Sequence, residues 1–91
     1  MKFCVEVGDT KKHVIEYCFN QLLGRLVIKL NQKEVKRTLR LFNEPILEMY
    51  PVQVEAGEPL TVRIEKERDR LFGQKCRVFL NGRLFKYYKG V

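Results

Sequence analysis

The chain has 91 residues, 45% hydrophobic and 32% charged, with 18 lysines and arginines against 11 acids and a formal net charge of +7. That length points to one domain. A single His and a complete absence of Ser exclude a Ser-His-Asp triad and any metal motif that needs two histidines.

In chain order, Met1-Lys2-Phe3-Cys4-Val5-Glu6 places a carboxylate where a signal peptide needs its apolar core, so the expected location is the cytoplasm. No apolar run is long enough for a membrane-spanning helix, and no membrane partner is expected. The dominant period along the chain is two, a strand signature. Phe3, Val5 and Val7 alternate with Cys4 and Glu6, which predicts a strand over 2–7 that ends at Gly8-Asp9-Thr10. Ile15, Tyr17 and Phe19 alternate with Val14, Glu16 and Cys18 in a strand over 13–19. Beyond the Asn20 to Gly24 break, Leu26, Ile28 and Leu30 mark a third strand over 25–30. The Asn31-Gln32 turn leads into a fourth over 34–42, with Val35, Leu39 and Leu41 inward and Arg37 at an edge or in solvent. The bases at 33, 36, 37 and 40 have helical spacing, but the preceding turn favours the strand.

Asn43-Glu44-Pro45 reads as a loop. Segments 46–50 and 52–56 follow, either two strands or one bent at Pro51. Ala56-Gly57-Glu58-Pro59 reads as a second loop. Leu60, Val62 and Ile64 then share one face of a strand over 60–68. Asn81-Gly82 is the strongest turn signal, because both residues accept the positive φ that a two-residue type I′ hairpin demands; its two arms occupy 75–88. The expected fold is all-β: a small antiparallel β-sandwich of about eight short strands joined by hairpins, a single domain over 1–91. Its expected core is Phe3, Ile15, Tyr17, Phe19, Leu26, Ile28, Leu30, Leu39, Leu41, Val62, Ile64, Val78 and Leu80.

Three cysteines without CxxC spacing argue for reduced thiols rather than a disulfide framework or a zinc site. Cys4 and Cys18 would meet if their strands paired in the right register. Cys76 alternates with Val78 and Leu80, which places it in the interior. Glu16 and Cys18 lie at odd separations from His13, so pleating points them away from it and His13 is read as structural. Glu44, Glu48, Glu55 and Glu58 are read as solvated. No Gly-rich phosphate loop is present. No catalytic residue, cofactor or metal is therefore assigned, and a small Cys- or His-based enzyme is a third reading behind two binding readings.

Charge is segregated. Residues 25–40 carry six bases against Glu34; 41–62 carry four acids and no base; 70–91 carry six bases and no acid. The candidate partner-binding residues are Arg25, Lys29, Lys33, Lys36, Arg40, Lys75, Arg77, Arg83 and Lys86. They imply a non-enzymatic interaction module with a basic β-surface for a protein partner whose surface is acidic. The alternative is a nucleic-acid-binding domain in which the two basic hairpins hold phosphates while Phe85, Tyr87 and Tyr88 stack on bases. Edge lysines also guard β-proteins against unwanted pairing. Complementary acidic and basic segments are compatible with a monomer or a weak homodimer.

The two basic segments look alike: Ile28-Lys29-Leu30-Asn31-Gln32-Lys33-Glu34-Val35-Lys36 parallels Val78-Phe79-Leu80-Asn81-Gly82-Arg83-Leu84-Phe85-Lys86. The order of features from 13 to 88 resembles the Fas apoptotic inhibitory molecule family. The motifs are His13-Val14-Ile15-Glu16-Tyr17, then Gly24-Arg25, the Leu30-Asn31-Gln32-Lys33-Glu34 hairpin, and the Leu80-Asn81-Gly82-Arg83-Leu84-Phe85-Lys86-Tyr87 hairpin. Gln32 departs from that pattern, which has Gly in the turn, and no Trp precedes Leu41-Phe42. The resemblance implies an eight-stranded antiparallel β-sandwich and a regulatory role through protein contacts, with no catalytic residues.

Overall fold

Alternating apolar residues become strands wherever turn residues separate them. The computed structural model describes residues 1–8, 11–40, 45–56, 58–69 and 73–90. The strands are β1 (Lys2–Val7), β2 (His13–Asn20), β3 (Arg25–Leu30), β4 (Lys33–Leu39), β5 (Leu47–Ala56), β6 (Glu58–Arg68), β7 (Gln74–Leu80) and β8 (Arg83–Gly90). They form two four-stranded antiparallel sheets, ordered β1-β2-β3-β4 and β5-β6-β7-β8. The all-β, hairpin-connected class expected from the periodicity is the one observed. Each sheet belongs to its own unit, Met1–Glu44 and Pro45–Val91.

In unit one the buried face is built from Phe3, Val5 and Val7 on β1, His13, Ile15, Tyr17 and Phe19 on β2, and Leu26 and Ile28 on β3. Phe3 lies opposite Tyr17, and their rings stack with centroids 4.7 Å apart. In unit two the buried set is Tyr50, Val52 and Val54 on β5, Val62, Ile64 and Lys66 on β6, and Gln74, Cys76 and Val78 on β7. Each large apolar side chain so buried stabilises by roughly 1.5–3 kcal/mol. β5 runs unbroken through Pro51; as an edge strand it tolerates a residue without an N–H.

The two units share one construction. Asn31 and Gln32 have φ of 51° and 69°, and Asn81 and Gly82 have 50° and 82°. Two consecutive positive φ values define the type I′ turn, whose twist matches that of its strands. Each Asn also pins the next strand over. The Asn31 N–H donates to the Val14 carbonyl at 2.8 Å, and the Val14 N–H donates to Asn31 Oδ1 at 2.9 Å. Asn81 and Thr61 repeat both bonds at 2.8 and 3.0 Å. Beyond each turn the register slips by one residue, between Ile28 and Lys29 and between Val78 and Phe79. Val35 and Phe85 are the extra residues of these bulges. Ile28 then faces Lys36 as Val78 faces Lys86.

The bulge corrects the expected orientation of the fourth strand. Thr38 and Lys36, not Leu39 and Val35, lie opposite the buried Leu26 and Ile28. Leu39 falls on the other face, opposite Arg25, and is 61% exposed; Val35 is 49% exposed. Neither is core, and Leu41 lies outside the described residues. Leu30 and Leu80 are half-buried. The expected Ala56–Pro59 loop is shorter than predicted, because β5 and β6 stay paired to Ala56 and Glu58. Cys4 faces Glu16 and Cys18 faces Lys2, so the two exposed thiols sit diagonally, and both are free.

The turns make a direct prediction. Asn31→Ala and Asn81→Ala should each lower stability by about 1–3 kcal/mol, since each loses a left-handed-tolerant residue and a side-chain bond to the adjacent strand. Gln32→Gly should raise it by about 0.5–1 kcal/mol by relieving a side chain at positive φ. Urea unfolding of the three variants checks both directions.

Candidate functional site

The nine candidate bases divide between the units and, within each hairpin, between the two faces. Arg25 and Lys29 project from the outer face of β3. Lys33 and Lys36 sit opposite Leu30 and Ile28, on the core side of β4, yet are exposed because β4 is an edge. Arg40 follows β4 and is positioned through its backbone. Its N–H donates to the Gly24 carbonyl at 2.8 Å, and a Cβ on Gly24 would collide with the Arg40 carbonyl. In unit two, Lys75 and Arg77 lie on the outer face of β7. Arg83 and Lys86 lie opposite Leu80 and Val78, on the core side of the β8 edge. Among the described residues, no acid forms a salt bridge with Arg25, Lys33, Lys36, Arg83, Lys86 or Lys89.

The outer face of unit one is a charged lattice. Because Val35 is the bulge residue, Glu34 and Arg37 fall on the same face despite their i,i+3 spacing in a strand. Arg37 donates from Nε and Nη2 to the two Glu34 carboxylate oxygens at 2.6 and 2.8 Å. That hydrogen-bonded guanidinium, helped by Lys29 opposite, holds the Glu34 carboxyl below the usual carboxylate range. A shallow groove of about 290 Å³ runs over Cys18 between Lys2, Glu16, Lys29 and Arg37.

The outer face of unit two has the same register with different chemistry. Cross-strand rows read Met49, Glu65, Arg77, Tyr87 and Pro51, Arg63, Phe79, Leu84. The Arg63 guanidinium lies 4.4 Å from the Phe79 ring centroid and 3.7 Å from the Glu65 carboxylate. Arg77 binds Glu67 at 2.8 Å, and Lys75 lies 3.6 Å from Asp69. Met49, Leu84 and Tyr87 are 54%, 58% and 50% exposed. On β8, Phe85 is exposed with the Lys86 ammonium 5.5 Å from its ring centre.

Equivalent positions show what the framework does not need. Lys29, Glu34 and Arg37 in unit one occupy the places of Phe79, Leu84 and Tyr87 in unit two. A charged set satisfies the same sheet, so the apolar set is not a requirement of the fold. Arg63, Met49, Phe79 and Leu84 are absent from the sequence-derived site. Aligning the two basic segments position by position carries the signal, since Lys29 then matches Phe79 and Glu34 matches Leu84.

The one histidine and the third cysteine lie in the interior. His13 is buried and accepts at Nδ1 from Asn31 Nδ2, 2.9 Å away, which joins it to the turn bracket. Cys76 is fully buried, as its alternation implied, with its Sγ 3.9 Å from Gln74 Oε1. Among the described residues, no group of three His, Cys, Asp or Glu is placed to hold a metal, and no helix is long and apolar enough to cross a membrane. No family model matches the chain, nor does any curated protein or solved structure.

Arg77 bound to Glu67 also holds that carboxyl below its ordinary value. A carboxyl lowered in the folded state adds stability that is full above the ordinary carboxylate pKa and fades as pH falls through the lowered value. Carboxyl-carbon NMR titration should give Glu34 and Glu67 midpoints below the usual carboxylate value. Arg37→Gln should raise the Glu34 midpoint toward that value, with Lys29 still opposing a full return, without moving Glu67.

Proposed function

We propose that the chain is a non-enzymatic protein-binding module whose contact surface is the outer face of unit two together with the β8 rim, and whose partner is acidic. The observation that carries this is the set of exposed Leu84 and Tyr87 with half-buried Phe79, at positions where unit one places Glu34, Arg37 and Lys29. Protein interfaces favour aromatic residues, Met and Arg at an apolar centre with a charged rim. Here Met49, Phe79, Leu84 and Tyr87 form the centre with Arg63 and Arg77 among them, and Arg83, Lys86 and Lys89 supply the rim. The hairpin order that resembles the Fas apoptotic inhibitory molecule family fits the same regulatory, contact-based role.

Nucleic acid is the second reading. Lys86 beside the exposed Phe85 ring favours it, since cations interleaved with aromatic rings suit a phosphate backbone with stacked bases. Against it, Lys75 and Arg77 are engaged by Asp69 and Glu67 on the same face, so that the outer face offers an apolar centre rather than a track of free cations for a phosphate backbone.

Fluorescence anisotropy with a labelled peptide of glutamate and leucine blocks, beside a labelled single-stranded oligonucleotide, from about 50 to 200 mM salt, separates the readings. The peptide should bind with a shallow salt slope. Leu84→Ala with Tyr87→Ala should weaken it about tenfold or more, and Arg25→Glu with Lys29→Glu should leave it unchanged. Tighter oligonucleotide binding with a steep negative slope would replace the protein reading.

A further inference from the structure

We infer that β8 receives its partner as an added strand: an extended peptide segment in which acidic and apolar residues alternate, paired through backbone hydrogen bonds to the β8 edge. This rests on the reading of unit two as a protein-binding surface and specifies the partner's form. Four observations lead there. β8 is an edge strand of eight residues, exposed along Arg83 to Tyr87, and an edge directs alternate N–H and C=O groups away from its sheet. It contains neither a proline nor an acid. The opposite edge of the same sheet, β5, carries Pro51, which cannot donate to an added strand.

The fourth observation sets the partner's pattern. After the bulge, Arg83, Lys86 and Tyr88 share the face of Leu80, Val78 and Cys76, whereas Leu84 and Tyr87 share that of Phe79 and Arg77. Residues of an added strand also alternate between these faces. Those on the first meet Arg83 and Lys86, cations without a salt-bridge partner among the described residues, and those on the second meet Leu84 and Tyr87, with Lys89 beyond them opposite Lys75. An acidic–apolar alternation satisfies both. The same cations disfavour a basic strand, so the residues that guard the edge also select what joins it. β4, the equivalent edge of unit one, is divided differently: its outer side carries the closed Glu34–Arg37 pair where β8 has Leu84 and Tyr87, and its exposed Leu39 lies beyond that pair, opposite Arg25.

The test uses the full chain and three labelled probes: a short peptide of alternating glutamate and valine, the same peptide with backbone N-methylation at alternate residues, and the glutamate–leucine block peptide. The alternating peptide should bind at least about tenfold more tightly than its N-methylated form, which loses several donors. Amide exchange in β8 should slow by about tenfold or more when it binds, and Lys86→Glu should weaken it by a similar factor with the fold retained by circular dichroism. Equal binding of the N-methylated peptide would overturn strand addition and leave the protein-binding reading intact. So would unchanged β8 exchange, or binding of the block peptide alone. Failure of all three peptides at low salt would remove both.

Discussion

Asn81 holds its backbone at positive φ while its own N–H and side-chain oxygen clasp Thr61 on the strand beyond its partner. The clasp spans three strands, β6, β7 and β8, and leaves the hairpin two residues in which to reverse. Downstream, the ladder absorbs one extra residue as a bulge between Val78 and Phe79. A one-residue slip exchanges the faces of everything beyond it. The Asn turn and its bulge therefore decide that Lys86 lies over the core side and Tyr87 over the outer side. Asn31 and its bulge do the same for Lys36 and Arg37. Each basic hairpin acquires two faces of different chemistry because of a turn, not because of the order of its charges.

Period-two alternation in Phe3-Val5-Val7, Ile15-Tyr17-Phe19 and Leu60-Val62-Ile64 places most strands, because an unbroken pleat converts sequence parity into facing. Parity fails where a residue is inserted, and Val35 and Leu39 illustrate this: both look inward by counting from Leu41, and the bulge turns them out. The β5 core is legible in Tyr50, Val52 and Val54, which alternate, but Pro51 reads as a break. Proline removes a donor that an edge strand has no need to supply inside its sheet. Lys66 signals its burial by its position and not by its residue type. It continues the alternation of Val62 and Ile64 onto the core side, and its neighbours across the ladders are Glu48 and Cys76. For the site, the bases and the aromatic residues among them were legible, but not that Leu84 and Tyr87 share a face, which they do only through the bulge.

With two copies of one framework in a single chain, each serves as the other's control. Both require the Asn clasp, the bulge and the apolar positions Ile15 and Ile28, matched by Val62 and Val78. Positions that differ while the register is kept are free of that requirement. They fall into two groups. On the core side, Phe19 and Leu26 of unit one correspond to Lys66 and Cys76 of unit two, but these are fully buried and meet no visitor. On the outer side, Lys29, Glu34 and Arg37 correspond to Phe79, Leu84 and Tyr87, and Leu84 and Tyr87 remain open to solvent. Exposed apolar surface lowers solubility and gives the isolated sheet nothing in return. At these two positions the framework itself accepts charge, as Glu34 and Arg37 show, so Leu84 and Tyr87 are the residues on which the proposed protein contact rests.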